Sequence, residues 1–359
     1  MAVIEMTPRL SSHLIDKWIR KEIDPIHRAA PLLGTLKAHG RISLNHDEAD
    51  IRWRPRLKRR KPTTSPGYPH EAEFEAVVRH KNAVLPWRSA KLGEQIPKLE
   101  TLIGRSKDTA FPDLVGNVIK WGLDDFQEWI QEALYYDGTG EDVHGIKSWF
   151  GATGTQTGVP VGTPSGTYAE ISMVLGNTGL GGNWTAPTGK AWPVGSGDTE
   201  YCGWSPLTVL YDSSDLSTET TRTWATQWQE AMRYGITYLN SLQREKPNVA
   251  IWSPEMTRIA ANSLKERQRL EVTGGSKLVD LGLRTYQFDG VEIVEDAFCP
   301  TATAYLLNTK RMNLWSLQSQ LVAVERQKDI DVSTEKILLD SFLNMWVESP
   351  AYFAQLTTS

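Results

Sequence analysis

Histidine and cysteine are the side chains that most often build reactive centres, and here both are few and badly placed for one. All seven histidines lie at or before His144. Any His-dependent acid, base or nucleophile must therefore come from the N-terminal part of the chain. Cys202 and Cys299 are the only cysteines, too few for a disulfide framework or for the paired CxxC ligands of a structural zinc site. The run Gly162-Thr163-Pro164-Ser165-Gly166 has the outline of a nucleophile elbow, but its serine stands fourth of five where that motif places it third. Trp184 to Ala191 has the outline of a phosphate loop, with Trp184 in place of the first glycine and Ala191 in place of the magnesium-binding hydroxyl. It reads as a surface loop. Asp137, Glu141 and Asp142 bunch near glycines, yet their order matches no calcium-binding loop, and a solvated turn accounts for them. The expectation is a chain with no catalytic centre, no metal and no organic cofactor.

One charged constellation does stand out. Arg52, Arg54, Arg56, Lys58, Arg59, Arg60 and Lys61, with Trp53 interleaved, face Glu71, Glu73 and Glu75 across a turn-rich stretch from Pro62 to Pro69. Pairing across two strands offsets part of this charge. Seven bases against three acids leave a surplus. Two kinds of partner would take it up. Nucleic acid binds Lys/Arg segments through phosphate, with an aromatic to stack bases. The alternative is an acidic face of a neighbouring subunit, which a chain of net charge -4 can supply. That same net charge argues against a protein whose whole surface grips nucleic acid.

The elements that must carry these residues are legible from periodicity. An N-terminal stretch interrupted by Pro8, Pro25 and Pro31 reads as an arm with a short helix near Ser12 to Glu22. Strand-like alternation from Arg41 to about Trp87 reads as a long hairpin, and a two-stranded ribbon is marginal without a surface to lie on. From Asp113, apolar residues recur at helical spacing (Val118, Ile119, Phe126, Ile130, Ala133) for about six turns, stopped by Gly138 and Gly140. Residues 151–203 are rich in Gly, Thr, Ser and Pro and give no clear pattern. A second helix is expected over Thr220 to Leu242. A third should open at Ser253-Pro254-Glu255, with capping hydroxyl, N1 proline and acidic first turn, and run to about Leu270. Short strands follow: Thr285 to Phe288 and Val291 to Val294 around Asp289-Gly290, then Ala304 to Leu307, Leu321 to Glu325 and Phe342 to Val347. Long helices beside strands, with no βαβ alternation and no internal repeat, make an α+β class. No apolar run is long enough to span a bilayer, and no secretory signal opens the chain. The fourteen tryptophans suit cores and buried inter-chain surfaces alike.

This order of elements resembles the Hong Kong 97-like major capsid proteins of tailed double-stranded DNA phages. The likeness is carried by Ala83-Val84-Leu85-Pro86-Trp87-Arg88 before the long helix and Leu134-Tyr135-Tyr136-Asp137-Gly138-Thr139-Gly140 with Gly145-Ile146 after it. It continues in Val249-Ala250-Ile251-Trp252-Ser253-Pro254, and in Phe288 to Val294 through Ala304 to Asn308. The resemblance implies an N-terminal arm (1–39), an extended loop (40–96), a peripheral domain with a spine helix (97–246, rejoined by 326–359) and an axial domain (247–325). It implies a subunit that assembles with itself into pentamers and hexamers of an icosahedral shell, in the virion and, during assembly, in the host cytoplasm. Portal and decoration proteins and packaged double-stranded DNA are implied partners. Fewer than fifty residues precede the hairpin, so scaffolding is expected from a separate protein. No spacing marks a Lys–Asn pair for covalent linking of subunits. Encapsulin shells share the fold and remain the alternative. A nucleic-acid-binding protein using 52–61 is the third reading.

Overall fold

The computed structural model describes residues 30–56, 80–97, 114–155, 160–173, 204–243, 245–263, 285–329 and 334–358. The arm helix, the outer hairpin with its tip, the phosphate-loop-like stretch, Cys202 and the end of the third helix lie outside the described residues.

Helix α1 (Pro31–Ala38) starts on a proline, whose missing N–H is no loss in a first turn. It buries Leu32, Leu33 and Leu36. Helix α2 (Leu114–Ala133) is the long helix expected from the sequence, about 30 Å at 1.5 Å per residue. Its buried side carries Val118, Phe126, Ile130 and Ala133. Beyond α2 the chain doubles back: Gly145 N–H donates to the Tyr136 carbonyl (3.1 Å) and Ile146 N–H to that of Leu134 (2.7 Å). Glycine is required at both ends of this turn. Gly138 has φ of +75°, and a Cβ on Gly145 would stand 2.5 Å from the Leu134 carbonyl oxygen.

Helix α3 (Trp224–Gln243) begins at the first tryptophan of the stripe, four residues later than the expected Thr220. Thr226 Oγ donates to the Thr221 carbonyl and accepts from Thr223 N–H. These local bonds hold residues 220–223 in a turn that competes with helix. Helix α4 (Pro254–Ser263) opens as expected, with Met256 N–H reaching Ser253 Oγ (3.4 Å) and Glu255 in the first turn.

The strands form two principal sheets. One has five strands: β1 (Ile42–Ser43), β4 (Arg88–Pro97), β14 (Met312–Ser316), β15 (Ala323–Asp329) and β16 (Thr334–Val347). The fourteen-residue β16 is its axis. Antiparallel β4 runs along one edge, from Arg88 opposite Leu343 to Pro97 opposite Thr334, while β15 and β14 share the other edge in turn. Here the sequence reading is corrected in detail, because β16 begins eight residues before the expected Phe342. Its first half carries Glu335, Lys336 and Asp340, which broke the apolar pattern without breaking the ladder.

The second sheet has six strands in the order β11 (Thr285–Phe288), β12 (Val291–Glu295), β10 (Val249–Trp252), β13 (Ala304–Leu307), β17 (Ala354–Thr357) and β9 (Leu207–Leu210). Strands β9, β10 and β13 are buried at every residue, as expected of strands covered on both faces. Ala250, Trp252, Ile293 and Leu306 pack with Trp228, Met232 and Ile236 of α3. Val249, Ile251, Tyr305 and Leu307 belong to the larger core with α1, the end of α2 and Trp149. Two short pairs occupy part of the unpatterned stretch: β5 (Ala152–Thr155) with β6 (Gly162–Pro164), and β7 (Thr167–Tyr168) with β8 (Ile171–Ser172).

A buried polar knot ties α1, α2 and the six-stranded sheet together. Asp296, at the end of β12, is fully buried. Its carboxylate accepts from Tyr135 Oη (2.6 Å), from Gln131 Nε2 and from Phe298 N–H (2.9 Å). Gln131 Oε1 in turn accepts from Leu33 N–H (2.9 Å).

Candidate functional site: the root of the basic hairpin

The only constellation that sequence analysis singled out is the hairpin, and its root is described in full. Strands β2 (Asp50–Trp53) and β3 (Ala83–Pro86) pair antiparallel, with Ile51 opposite Leu85 and Trp53 opposite Ala83. An isolated bridge, Arg56 to His80, extends the same register. Alternation then sorts the side chains. Ile51, Ala83 and Leu85 point into the main core, so the root is part of the body of the subunit. Arg52, Arg54 and Arg56 point the other way and are exposed. Their cross-strand neighbours are Val84, Asn82 and His80. None of these is acidic. Arg52 pairs with Asp50 (2.8 Å), and Arg54 Nε donates to Asn82 Oδ1 (3.1 Å). The remaining residues of the expected site, Lys58, Arg59, Arg60, Lys61, Glu71, Glu73 and Glu75, lie outside the described residues.

Aromatic packing and long-range hydrogen bonds seat this root. Trp53 Nε1 donates to the Glu348 carbonyl (3.1 Å) and its ring meets Trp346 at 5.0 Å. Trp346 packs edge-on to Trp315 (4.9 Å), and Trp315 stacks on His46 (4.0 Å, 15° between planes). Trp87 closes the series by donating to the Glu48 carbonyl (2.8 Å). The buried Asn344 side chain donates to the Pro86 carbonyl (2.7 Å) and accepts from His144 N–H (2.9 Å). One amide thus joins hairpin, β16 and the turn after α2. Sequence reasoning missed Asn344, His46, Trp315 and Trp346. The high tryptophan count was the one sign of Trp315 and Trp346, and nothing marked Asn344 or His46.

The weaker chemical candidates disperse. Ser165 follows a strand and leads into β7, with its N–H on the Gly151 carbonyl (3.0 Å), so the strand-to-helix turn of a nucleophile elbow is not formed. Asp137, Glu141 and Asp142 are exposed. Asp137 Oδ1 accepts from Thr139 N–H (2.9 Å), and this bond holds its carboxyl below the usual range. Among the described residues no group of three His, Cys, Asp or Glu is placed to hold a metal. No described helix is long and apolar enough to cross a membrane. Cys299 is buried, with its thiol pushed up by desolvation and by nearby Asp296. Burial and the Arg88 charge push the His144 imidazole down to about 4.

The hairpin root, long helix, glycine turn and two sheets in this connectivity make the Hong Kong 97-like capsid fold. No protein-family model and no curated protein matches the sequence. Solved structures match along nearly the whole chain. A chain of the cyanophage A-1(L) capsid asymmetric unit is similar over 95% of this chain and 96% of its own, at 16% identity and a TM-score of 0.63. A chain of the capsid of the native GTA particle covers 94% and 93%, at 10% identity and 0.55. A chain of the capsid of Myoviridae phage XM1 covers 94% and 95%, at 10% identity and 0.52. At such identities the likeness establishes a shared fold.

Proposed function

We infer that the chain is the major capsid protein of a tailed double-stranded DNA phage, a subunit that acts by assembling with copies of itself and catalyses nothing. The observation that carries this reading is the reciprocity of the match: 95% of this chain corresponds to 96% of a phage capsid subunit. Nothing of domain size is left over to house another activity. The site inventory agrees, since its strongest feature is an outward row of arginines on an anchored hairpin and not a polar pocket. In this reading the arm is 1–39, the extended loop 40–96, the peripheral domain 97–246 with 326–359, and the axial domain 247–325. Pentamers and hexamers close an icosahedral shell around DNA. Scaffolding, portal and decoration proteins are its further partners, and the virion is its final location.

The test is electron microscopy and sedimentation of the purified protein, supplied with its own phage's scaffolding protein if one is needed. Closed shells far above the 40.3 kDa subunit are expected. A lasting monomer would refute the reading. Replacing Arg59 and Arg60 together by Glu should abolish assembly or give shells that open at modest salt, with the isolated subunit still folded by circular dichroism. Exposed pairs contribute only about 0.2–1 kcal/mol each, but a shell repeats the contact at every copy. Normal empty shells from this double variant, with failure only at genome packing, would move the basic leg to the DNA side.

A further inference from the structure

Strand β16 carries a second buried carboxylate, Asp340, which is 8% exposed. Ile337 and Leu339 face α2, where they meet Val118 and the backbone at Gly122. Alternation therefore turns Asp340 to the opposite face of the sheet, with Phe342 and Asn344. Residues 317–322, which link β14 to β15, are bonded across to this part of the strand. Leu317 N–H donates to the Phe342 carbonyl (3.0 Å), and Ser341 Oγ donates to the Leu321 carbonyl (2.6 Å). Gln318 Nε2 donates to Asp340 Oδ2 (3.1 Å). That bond fixes the amide, because a flipped Gln318 would set its oxygen against the carboxylate. With the amide so held, Asp340 Oδ1 and Gln318 Oε1 are both buried and accept from no donor. Close by, the fully buried Ser316 accepts from Gln318 N–H (3.2 Å) through Oγ, which donates to the Gln320 carbonyl at 3.3 Å.

A buried carboxylate oxygen with no donor calls for a partner. Lys91 stands opposite Asp340 on β4, but it is exposed and makes no ion pair with Asp340 among the described residues. Water supplies donors and no charge. A hard cation satisfies both oxygens together and balances the carboxylate as well. The atoms gathered here are oxygens, without the nitrogen or sulfur that selects zinc or copper. A single carboxylate among neutral oxygens sets a low affinity, with a Kd of about 10⁻⁴–10⁻³ M. The loop so held has a second task. Asn45 N–H and His46 N–H donate to the Gln318 and Ser316 carbonyls (2.9 and 3.3 Å), so it also fixes the segment that leads into the hairpin root.

We propose that Asp340 Oδ1 and Gln318 Oε1 bind a hard divalent cation of the calcium class, which pins the 317–322 loop to β16. At this one place it replaces the sequence expectation of no metal, and it does not depend on the shell reading. The test is titration of the full-length protein with terbium alone, with emission excited through tryptophan. Trp315 lies opposite Asn344, on the face of β16 that carries Asp340 and about 13 Å along it. Saturable emission that calcium displaces is expected. Calcium at about 10 mM should raise the thermal midpoint by about 2 °C, and magnesium by less. Asp340→Asn keeps the shape without the charge and should abolish both signals. Gln318→Glu adds a carboxylate, so it should lower stability without calcium and tighten calcium binding about tenfold. Circular dichroism checks each fold. Should Asp340→Asn fail to fold, Gln318→Glu decides alone, and calcium binding no tighter than wild type would overturn the proposal. No saturable terbium signal, or a calcium response unchanged in folded Asp340→Asn, would also overturn it. A calcium-insensitive protein that Lys91→Met destabilises would assign the carboxylate to the lysine, and one that Lys91→Met leaves unchanged would assign it to water.

Discussion

Asp296→Ala should be among the most damaging single changes in this chain. The substitution removes the acceptor for Tyr135 Oη, Gln131 Nε2 and Phe298 N–H at once. Tyr135 is 3% exposed and Gln131 fully buried, so water does not replace the lost carboxylate. An unsatisfied buried donor costs about 1–3 kcal/mol. Two such donors, Tyr135 Oη and Gln131 Nε2, would cost about 2–6 kcal/mol, with the half-buried Phe298 N–H adding less, minus what is regained by no longer burying a charge. A net loss of about 3–5 kcal/mol follows, comparable to breaking a buried ion pair from one side. Asp296→Asn should lose less, about 1–3 kcal/mol. The Tyr135 hydroxyl can turn to accept, but Gln131 cannot flip while its Oε1 accepts from Leu33 N–H. Urea unfolding of the subunit, followed by tryptophan fluorescence, measures both. The pH dependence gives a second reading. Desolvation raises the Asp296 carboxyl above its ordinary value, so the folded state holds this proton more tightly than the unfolded chain does. The group's contribution is then greatest below the unfolded value of about 3.9 and is lost as pH rises through the folded value. The margin of wild type over Asp296→Asn should narrow upward in pH. A cost below about 1 kcal/mol for Asp296→Ala, or a margin that widens with pH, would refute the reasoning.

Gly145→Ala should cost about 2–4 kcal/mol in thermal or urea unfolding, because its Cβ meets backbone at Leu134 and neither side of that contact can rotate away. His144, held down to about 4 by burial and Arg88, should cost stability in acid. Its contribution is complete above the unfolded value of about 6.5 and is lost as pH falls toward 4, and His144→Gln should flatten about 2–3 kcal/mol of that slope. Arg311→Met should lose about 1 kcal/mol, since the guanidinium joins Glu245 and Glu348 and covers the Tyr352 ring but is itself partly exposed. The difference should shrink in acid. Hydrogen bonding to Arg311 lowers the Glu245 carboxyl, and that stabilisation is lost as pH falls through its folded value.

Much of this chain declared itself through local rules. Helical period located α2 and α3, the Ser253-Pro254-Glu255 signal located the start of α4, and Asp289-Gly290 located the turn between β11 and β12. Alternation with an uneven charge balance marked the hairpin, and the outward arginines at 52, 54 and 56 follow from it. These features need only a residue and its near neighbours, because capping, positive φ and amphipathic spacing act within a few residues. What the hairpin rests on is different in kind. The Trp53–Trp346–Trp315–His46 series, Asn344 between Pro86 and His144, and β4 laid along β16 all join segments far apart in the chain. So does the carboxylate of Asp296 between α2 and the sheet. Single-sequence patterning holds no record of such pairs. The type and order of the hairpin root, α2, α3, α4, β11, β12 and β13 were therefore legible in the sequence alone, whereas β9, β14, β17 and the short pairs within 151–173 were not. The tertiary structure decided which elements touch, because strand partners and buried hydrogen-bond partners are selected by packing the whole core at once.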